Sequence, residues 1–125
     1  HRALLLINSI KLYSLVEDNP VNKQLKILIN ISDIYEVVKS LAGKKTEFYL
    51  FGSAARGEDT IDSDVDLLVI TDLDKASIYL VTDAVARNMN RDVNPVIYTP
   101  LQYANLPVKD KTFYDSISKD LIRVV

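Results

Sequence analysis

Residues 51–70 read FGSAARGEDTIDSDVDLLVI, and this segment carries the strongest structural signal in the chain. A glycine and a serine, Gly52 and Ser53, are followed by a short polar loop and then by two aspartates, Asp64 and Asp66, which open a strongly apolar run. Side chains alternate along a β-strand, so the two aspartates are expected to point to one face, about 7 Å apart, while the valine between them points into a core. The sequence therefore predicts two neighbouring carboxylates at the mouth of a buried strand.

Carboxylates on one face repel each other unless a cation lies between them. Magnesium prefers oxygen ligands and is commonly held by one or two carboxylates together with substrate phosphates. Glycine in the preceding turn lets the backbone approach a phosphate, and the serine hydroxyl adds a donor. Arg56 could contact phosphate oxygens through its planar guanidinium, or it could be a solvated cation of the loop. Taken singly, Asp-x-Asp and Gly-Ser pairs are mostly turns, but their order in this chain indicates a Mg²⁺ (or Mn²⁺) site facing polyphosphate.

The order of these residues resembles the signature of the nucleotidyltransferase superfamily that includes DNA polymerase beta and the kanamycin nucleotidyltransferases. That signature is a hydrophobic residue, Gly-Ser, roughly ten residues and Asp-x-Asp, which Phe51-Gly52-Ser53 and Asp64-Val65-Asp66 match in this sequence. The fuller string is similar to the minimal nucleotidyltransferase domains of bacteria and archaea. The resemblance is dense over about twenty residues.

The resemblance implies a reaction and a set of roles. A nucleoside monophosphate would pass from a nucleoside triphosphate, with ATP the expected donor, to an unknown hydroxyl acceptor, and pyrophosphate would leave. Asp64 and Asp66 would hold two Mg²⁺ ions that grip the triphosphate and activate the acceptor hydroxyl. Gly52 and Ser53 would seat the β and γ phosphates, and Arg56 would be an auxiliary phosphate contact.

Members of the superfamily normally supply a third carboxylate from a neighbouring strand, and this chain departs from that pattern. The position that aligns is Asn94, which is neutral and a poor base. Asp92, two residues earlier, could substitute if the register of the strand shifts by two. Pro95 removes a backbone donor, so this strand is expected to lie at an edge of the sheet or to carry an irregularity. Two functions stay open: an active nucleotidyltransferase, or a catalytically impaired nucleotide-binding regulatory module attached to a DNA-binding or partner domain.

Composition narrows the class of protein. The chain has 125 residues, a formal net charge of −2 and 26% charged residues, which suits one globular domain without a basic nucleic-acid stripe. Cysteine is absent and the single histidine is His1, so thiolate sites and histidine catalysis are disfavoured. The apolar run at 3–7 is too short to span a bilayer. We expect a cytoplasmic protein that does not contact membranes.

The predicted fold class is α/β (α+β), a small mixed sheet with helices packed on it, nucleotidyltransferase-like. One helix is expected at 21–41, with a break possible at 30–33 where asparagine and serine offer a cap. Glu58 and Asp59 are interpreted as solvated loop acids, and Ser53 as the cap of a short helix. The remaining expected strands are at 46–51, 65–71, 92–98 and 121–125. The remaining expected helices are at 54–56, from a cap at Asp72 or Asp74 to about residue 90, after Thr99-Pro100, and at 109–118.

The first residues are assigned separately from the rest. Residues 1–20 are predicted to form a helix (2–10) and a strand (11–15), either packed on the main domain or as the remnant of a winged-helix domain, which they weakly resemble. Residues 21–125 form the nucleotidyltransferase-like domain. Partners expected by resemblance are a nucleoside triphosphate and a helical protein, with DNA contacted through the N-terminal region and a homodimer as further expectations.

Overall fold

The computed structural model describes residues 19–125, and the predictions for the preceding helix, strand and winged-helix remnant lie outside the described residues. Helices and strands alternate along the described chain. Their bounds are α1 Pro20–Val38, a 3₁₀ helix Lys39–Leu41, β1 Thr46–Phe51, α2 Ser53–Arg56, β2 Val65–Thr71, α3 Lys75–Met89, β3 Val93–Tyr98, α4 Pro100–Lys109, α5 Lys111–Ser118 and β4 Ile122–Arg123.

The strands of residues 19–125 form one mixed sheet in the order β3-β2-β1-β4. β1 pairs antiparallel with β2 and β4, whereas β2 and β3 run parallel, as a crossover through α3 requires. The predicted fold class is therefore confirmed. β3 lies at an edge of this sheet, which is where Pro95 can be tolerated.

Helices cover both faces of the sheet. Alternation along β2 sends Val65 toward α1 and α3, whereas Leu68 faces α4 and α5. The buried residues of the first cluster are Ile34, Val38, Phe48, Leu50, Ala54, Ala55, Val65, Leu67, Val69, Ile78, Val85 and Met89. Those of the second cluster are Leu68, Ile70, Leu106 and Ile117. By the same alternation, Asp66 lies on the second face, near the N-terminus of β2.

Helix starts follow local sequence signals. Asp74 caps α3 by accepting from the backbone of the third helical residue at 3.2 Å. Thr99 and Gln102 form a reciprocal capping box at the start of α4, as expected for a Thr-Pro start. The cap predicted for the short helix is wrong: Ser53 is its first residue and Gly52 occupies the cap position, with no side-chain capping bond.

The break considered at 30–33 is absent, because α1 is continuous from Pro20 to Val38. Asn30 shares the buried side of α1 with Ile34 and Val38, at intervals of four residues. Its side-chain amide donates to Ala54 and Asp59 while the helix continues past it, so no break is needed. Within residues 19–125, no helix combines the length and hydrophobicity needed to cross a membrane.

Candidate active site

Three polar side chains meet where β2 and β3 begin. The side-chain amide of Asn94 donates to Asp64 Oδ2 at 3.1 Å and to Asp66 Oδ1 at 3.5 Å. Asp64 precedes β2 by one residue, and Asp66 is the second residue of that strand. The two carboxylates therefore converge on one amide group, as expected for residues two apart on one face.

The register of the parallel pair decides which residue faces the carboxylates. Asp66 lies opposite Asn94, and Val65 opposite Val93. Asp92 falls before the strand, where its carbonyl accepts from the Val65 amide at 2.9 Å. The third position thus carries Asn94, and the two-residue shift that would bring Asp92 there does not occur.

The carboxylate of Asp66 is in an electrostatically unfavourable place for an anion. Burial raises the pKa of Asp66, and the charge of Asp64 adds to this effect. The hydrogen bond from Asn94 and the nearby charge of Arg56 lower the pKa, but the net direction remains upward. Since the neighbouring groups do not fully offset the negative charge, a cation beside these carboxylates would be stabilising.

The Gly-Ser turn lies directly against the carboxylate of Asp66. Gly52 has φ +74°, in the region that favours glycine, and a Cβ at this position would overlap Asp66 Oδ2. Glycine thus brings the backbone of the turn into contact with the second aspartate. Ser53 follows as the first residue of α2, half-buried beside the turn. The two halves of the motif meet in space, although ten residues separate Ser53 from Asp64.

These residues fit a magnesium ion better than a softer metal. The available ligands are carboxylate oxygens of Asp64 and Asp66, and rotation of the Asn94 amide would add a carbonyl oxygen. The backbone at Gly52 leaves room that any side chain would fill. Among residues 19–125, His, Cys, Asp and Glu side chains form no metal-binding group of three or more. The donor set thus consists of two carboxylates and one amide.

Arg56 lies at the rim of the site and is engaged by acids. Its Nε donates to Glu58 at 2.6 Å and its Nη1 to Asp120 at 3.3 Å. These hydrogen bonds raise the pKa of Arg56 further above its usual value. The side chain is exposed, so contact with a phosphate would require it to exchange one carboxylate partner for the phosphate. Asp120 lies far away in the sequence and was not predicted near the site.

Sequence reasoning missed a buried polar cluster beside the motif. The interpretation of Asp59 as a solvated acid is wrong: its exposed fraction is 0%, and it forms an ion pair with Arg91 at 2.9 Å. Asn30 of α1 donates to the same carboxylate at 3.1 Å. The available signal was an asparagine on the apolar side of a predicted helix, because such a residue must find polar partners when it is buried.

Solved structures with a similar fold are found at low sequence identity. A toxin–antitoxin structure with AMP-PNP is 20% identical with a TM-score of 0.55, and the match covers 77% of this chain and 73% of that chain. A mutant of the MntA–HepT toxin–antitoxin is 18% identical with a TM-score of 0.55, over 76% and 72% of the two chains. A Shewanella oneidensis structure of a tri-AMPylated HEPN toxin with its MNT antitoxin is 18% identical with a TM-score of 0.52, over 79% and 71%. Similarity at these identities shows a shared fold.

A search of curated proteins found no match. The sequence nevertheless matches a known protein family over most of its length. Residues 31–118, well over half of the chain, match the family described as Nucleotidyltransferase domain. This range includes the Gly-Ser turn, both aspartates and Asn94. The chain therefore belongs to the nucleotidyltransferase domain family, whose general chemistry is nucleotidyl transfer.

Proposed function

We propose that this protein transfers a nucleoside monophosphate from a nucleoside triphosphate, with ATP as the donor, to a hydroxyl acceptor in the presence of Mg²⁺ or Mn²⁺. The observation that supports this most is the contact between the two halves of the motif. The carboxylates of Asp64 and Asp66 converge, and the backbone of Gly52 packs directly against one of them. A triphosphate held on the turn would therefore lie next to the carboxylates.

The proposed reaction assigns a role to each group. Asp64 and Asp66 would hold the metal, which when bound neutralises phosphate charge and makes the acceptor hydroxyl more acidic. The turn at Gly52 and Ser53 would bind the β and γ phosphates through backbone N–H groups and the hydroxyl. The acceptor oxygen forms a bond to the α phosphorus while the bond to the β-phosphate oxygen breaks, and pyrophosphate leaves. Asn94 cannot take the hydroxyl proton, so the proton passes to an aspartate or to solvent.

The test is release of pyrophosphate from labelled ATP. The protein is incubated with Mg²⁺ or Mn²⁺ and a panel of acceptors that includes small molecules, a protein hydroxyl and an RNA end. We expect release that is lost in Asp64→Asn. The matched control is Asp83→Asn, the same chemical change at an exposed position of α3, which should keep full release. Equal release by both variants would overturn the assignment.

A second candidate function is nucleotide binding without turnover, in a module that regulates a partner or an attached domain. The observation that favours it is Asn94 opposite Asp66, because a family site normally has a third carboxylate there. Tight binding of Mg²⁺–ATP without pyrophosphate release would support this function. Asn94→Asp would then be expected to create pyrophosphate release, whereas release by the wild type would exclude the regulatory alternative.

We also propose a helical protein partner. The similar solved structures are toxin–antitoxin complexes, which supports a protein partner for this chain. One side of α1 exposes apolar side chains at helical spacing, which suits a partner helix: Val21, Leu25, Leu28 and Tyr35. Light scattering of the chain with and without a candidate partner separates this proposal from the homodimer expected on sequence grounds. Leu28→Glu should abolish the complex and leave the chain folded.

A further inference from the structure

We propose that Arg91 and Asp59 form a buried pair whose role is to position the two halves of the candidate site relative to each other. Neither residue touches the carboxylates of Asp64 and Asp66 in this proposal. Both act through the loop that joins the Gly-Ser turn to the aspartates. The inference rests on the proposed function, since it concerns the geometry of the same site.

The guanidinium of Arg91 contacts α1 and two points of the loop between α2 and β2. Its Nε donates to the Ser63 carbonyl at 3.0 Å, and its Nη1 donates to Asn30 Oδ1 at 3.1 Å. Its Nη2 lies 2.9 Å from Asp59 Oδ2, with exposed side-chain fractions of 4% and 0%. A planar group with a fixed fork of donors can satisfy such a set of acceptors, whereas a lysine ammonium cannot span them. The contact with Ser63 is made one residue before Asp64.

The other side of the pair fixes the start of the loop. Asn30 donates to Asp59 Oδ2 at 3.1 Å and to the Ala54 carbonyl at 3.2 Å, so α1 is tied to both the loop and α2. Lys26 donates to the Asp59 carbonyl at 3.1 Å. Gly57, which lies between Ala54 and Asp59 in the sequence, packs so closely on the backbone of α1 that a Cβ would overlap it. The loop is thus held along its length and not only at its ends.

The pair also sets the start of the edge strand. Arg91 immediately precedes Asp92, whose carbonyl accepts from Val65 and begins the pairing of β2 with β3. That pairing places Asn94 opposite Asp66. One buried side chain therefore contacts the residue before Asp64 and anchors the segment that delivers Asn94.

A positioning role explains these contacts better than a contribution to stability. A buried ion pair loses hydration of both charges, so replacing it with apolar residues is often neutral or stabilising. Here its hydrogen bonds instead lead to Ser63 and, through Asn30, to Ala54, the residues that flank Asp64 and Ser53. Mutation of residues that orient metal ligands typically reduces metal affinity or activity by about 10- to 100-fold.

The test uses variants that separate position from stability. Arg91→Lys keeps the charge but loses the fork, and Asp59→Asn removes the carboxylate charge from the pair. The double variant Asp59→Asn/Arg91→Met removes both buried charges. The control is Ile70→Ala, a truncation in the core at the opposite end of β2. Three quantities are measured for each: thermal stability, the Kd for Mn²⁺–ATP, and the NMR signals of the Asn94 side-chain amide and the Asp64 backbone amide without ligand.

We expect Arg91→Lys to raise the Kd by about 10- to 100-fold and to move the Asn94 and Asp64 signals. Ile70→Ala should lower the melting temperature at least as much as Arg91→Lys does. Its Kd should stay within twofold of wild type, and the Asn94 and Asp64 signals should not move. The double variant should be more stable than Asp59→Asn because the buried arginine charge is removed together with the carboxylate charge. The affinity of the double variant for Mn²⁺–ATP should remain below that of the wild type, since the contact of Arg91 with Ser63 is missing in it.

The outcomes distinguish this inference from the proposed function. If Arg91→Lys loses stability while its Kd and both NMR signals stay at wild-type values, or if Ile70→Ala moves them equally, the positioning role is overturned. If the wild type does not bind Mn²⁺–ATP, the proposed function fails, and the NMR signals alone decide the inference. Movement of the Asn94 and Asp64 signals in Arg91→Lys but not in Ile70→Ala then supports it, and their constancy overturns it.

Discussion

Replacement of Gly52 by alanine is the sharpest test of the contact between the turn and the carboxylates. With φ +74° and ψ −157°, Gly52 occupies a conformation that is essentially restricted to glycine and costs other residues about 1–3 kcal/mol. The new Cβ would also overlap Asp66 Oδ2 and force that carboxylate away from Asn94. Loss of this hydrogen bond adds about 1 kcal/mol. The total loss of unfolding free energy is about 2–4 kcal/mol.

The matched control is Gly43→Ala. Gly43 also has a positive φ, +75°, but a Cβ there meets nothing within 4 Å. Its substitution therefore carries the backbone cost alone, about 1–2 kcal/mol. For a domain of this size 1 kcal/mol corresponds to about 4 °C in melting temperature, so we expect decreases of about 4–8 °C for Gly43→Ala and about 8–16 °C for Gly52→Ala.

The assay combines thermal unfolding with titration of Mn²⁺–ATP, followed by a fluorescent nucleotide. Gly52→Ala should weaken binding at least about tenfold, because the carboxylate is displaced from its position beside the turn. Gly43→Ala, remote from the site, should bind as the wild type does. Equal melting temperatures for the two variants, together with wild-type affinity in Gly52→Ala, would refute the claim that this glycine holds the turn against Asp66.

Two further predictions concern stability away from the site. Thr99→Ala should lower the unfolding free energy by about 1 kcal/mol in urea, since the cap of α4 is lost, whereas Thr112→Ala at an exposed position of α5 should change it by less than half as much. Burial, then the hydrogen bond and charge of Glu47, raise the pKa of Tyr49 to about 12 from 10.0. The raised pKa favours the protonated phenol in the folded state. The contribution of Tyr49 to the free energy of unfolding is therefore complete below pH 10.0 and lost as pH rises toward about 12. In Tyr49→Phe the decrease between these pH values should be smaller, and an unchanged pH profile of urea midpoints would contradict this assignment.

Much of the candidate site follows from short-range pattern. The spacing of Gly52, Asp64 and Asp66, together with the apolar run that follows, is enough to predict a turn, a buried strand and paired carboxylates. The caps at Asp74 and Thr99 are likewise local, because a capping side chain bonds only to the next turn of its own helix. Such features depend on residues a few positions apart, which makes them readable without a structure.

The polar cluster could not be read in that way. Asp59 lies in a loop between charged and polar neighbours, and its local sequence is typical of a solvated acid. It is buried because α1 and Arg91, distant in sequence, close over it. Asn30 differs from Asp59 in that its local sequence predicted a possible helix break. It lies instead within a continuous helix, and its amide bonds to groups distant in the sequence.

The order of the elements and the motif with its two candidate ligands could be predicted from the sequence alone, because these features depend on periodicity and spacing along the chain. The three-dimensional fold was needed to show that Asn94, and not Asp92, lies opposite Asp66. The register of two parallel strands is set by pairing across a long crossover and by contacts such as those of Arg91, and neither leaves a trace in the local sequence.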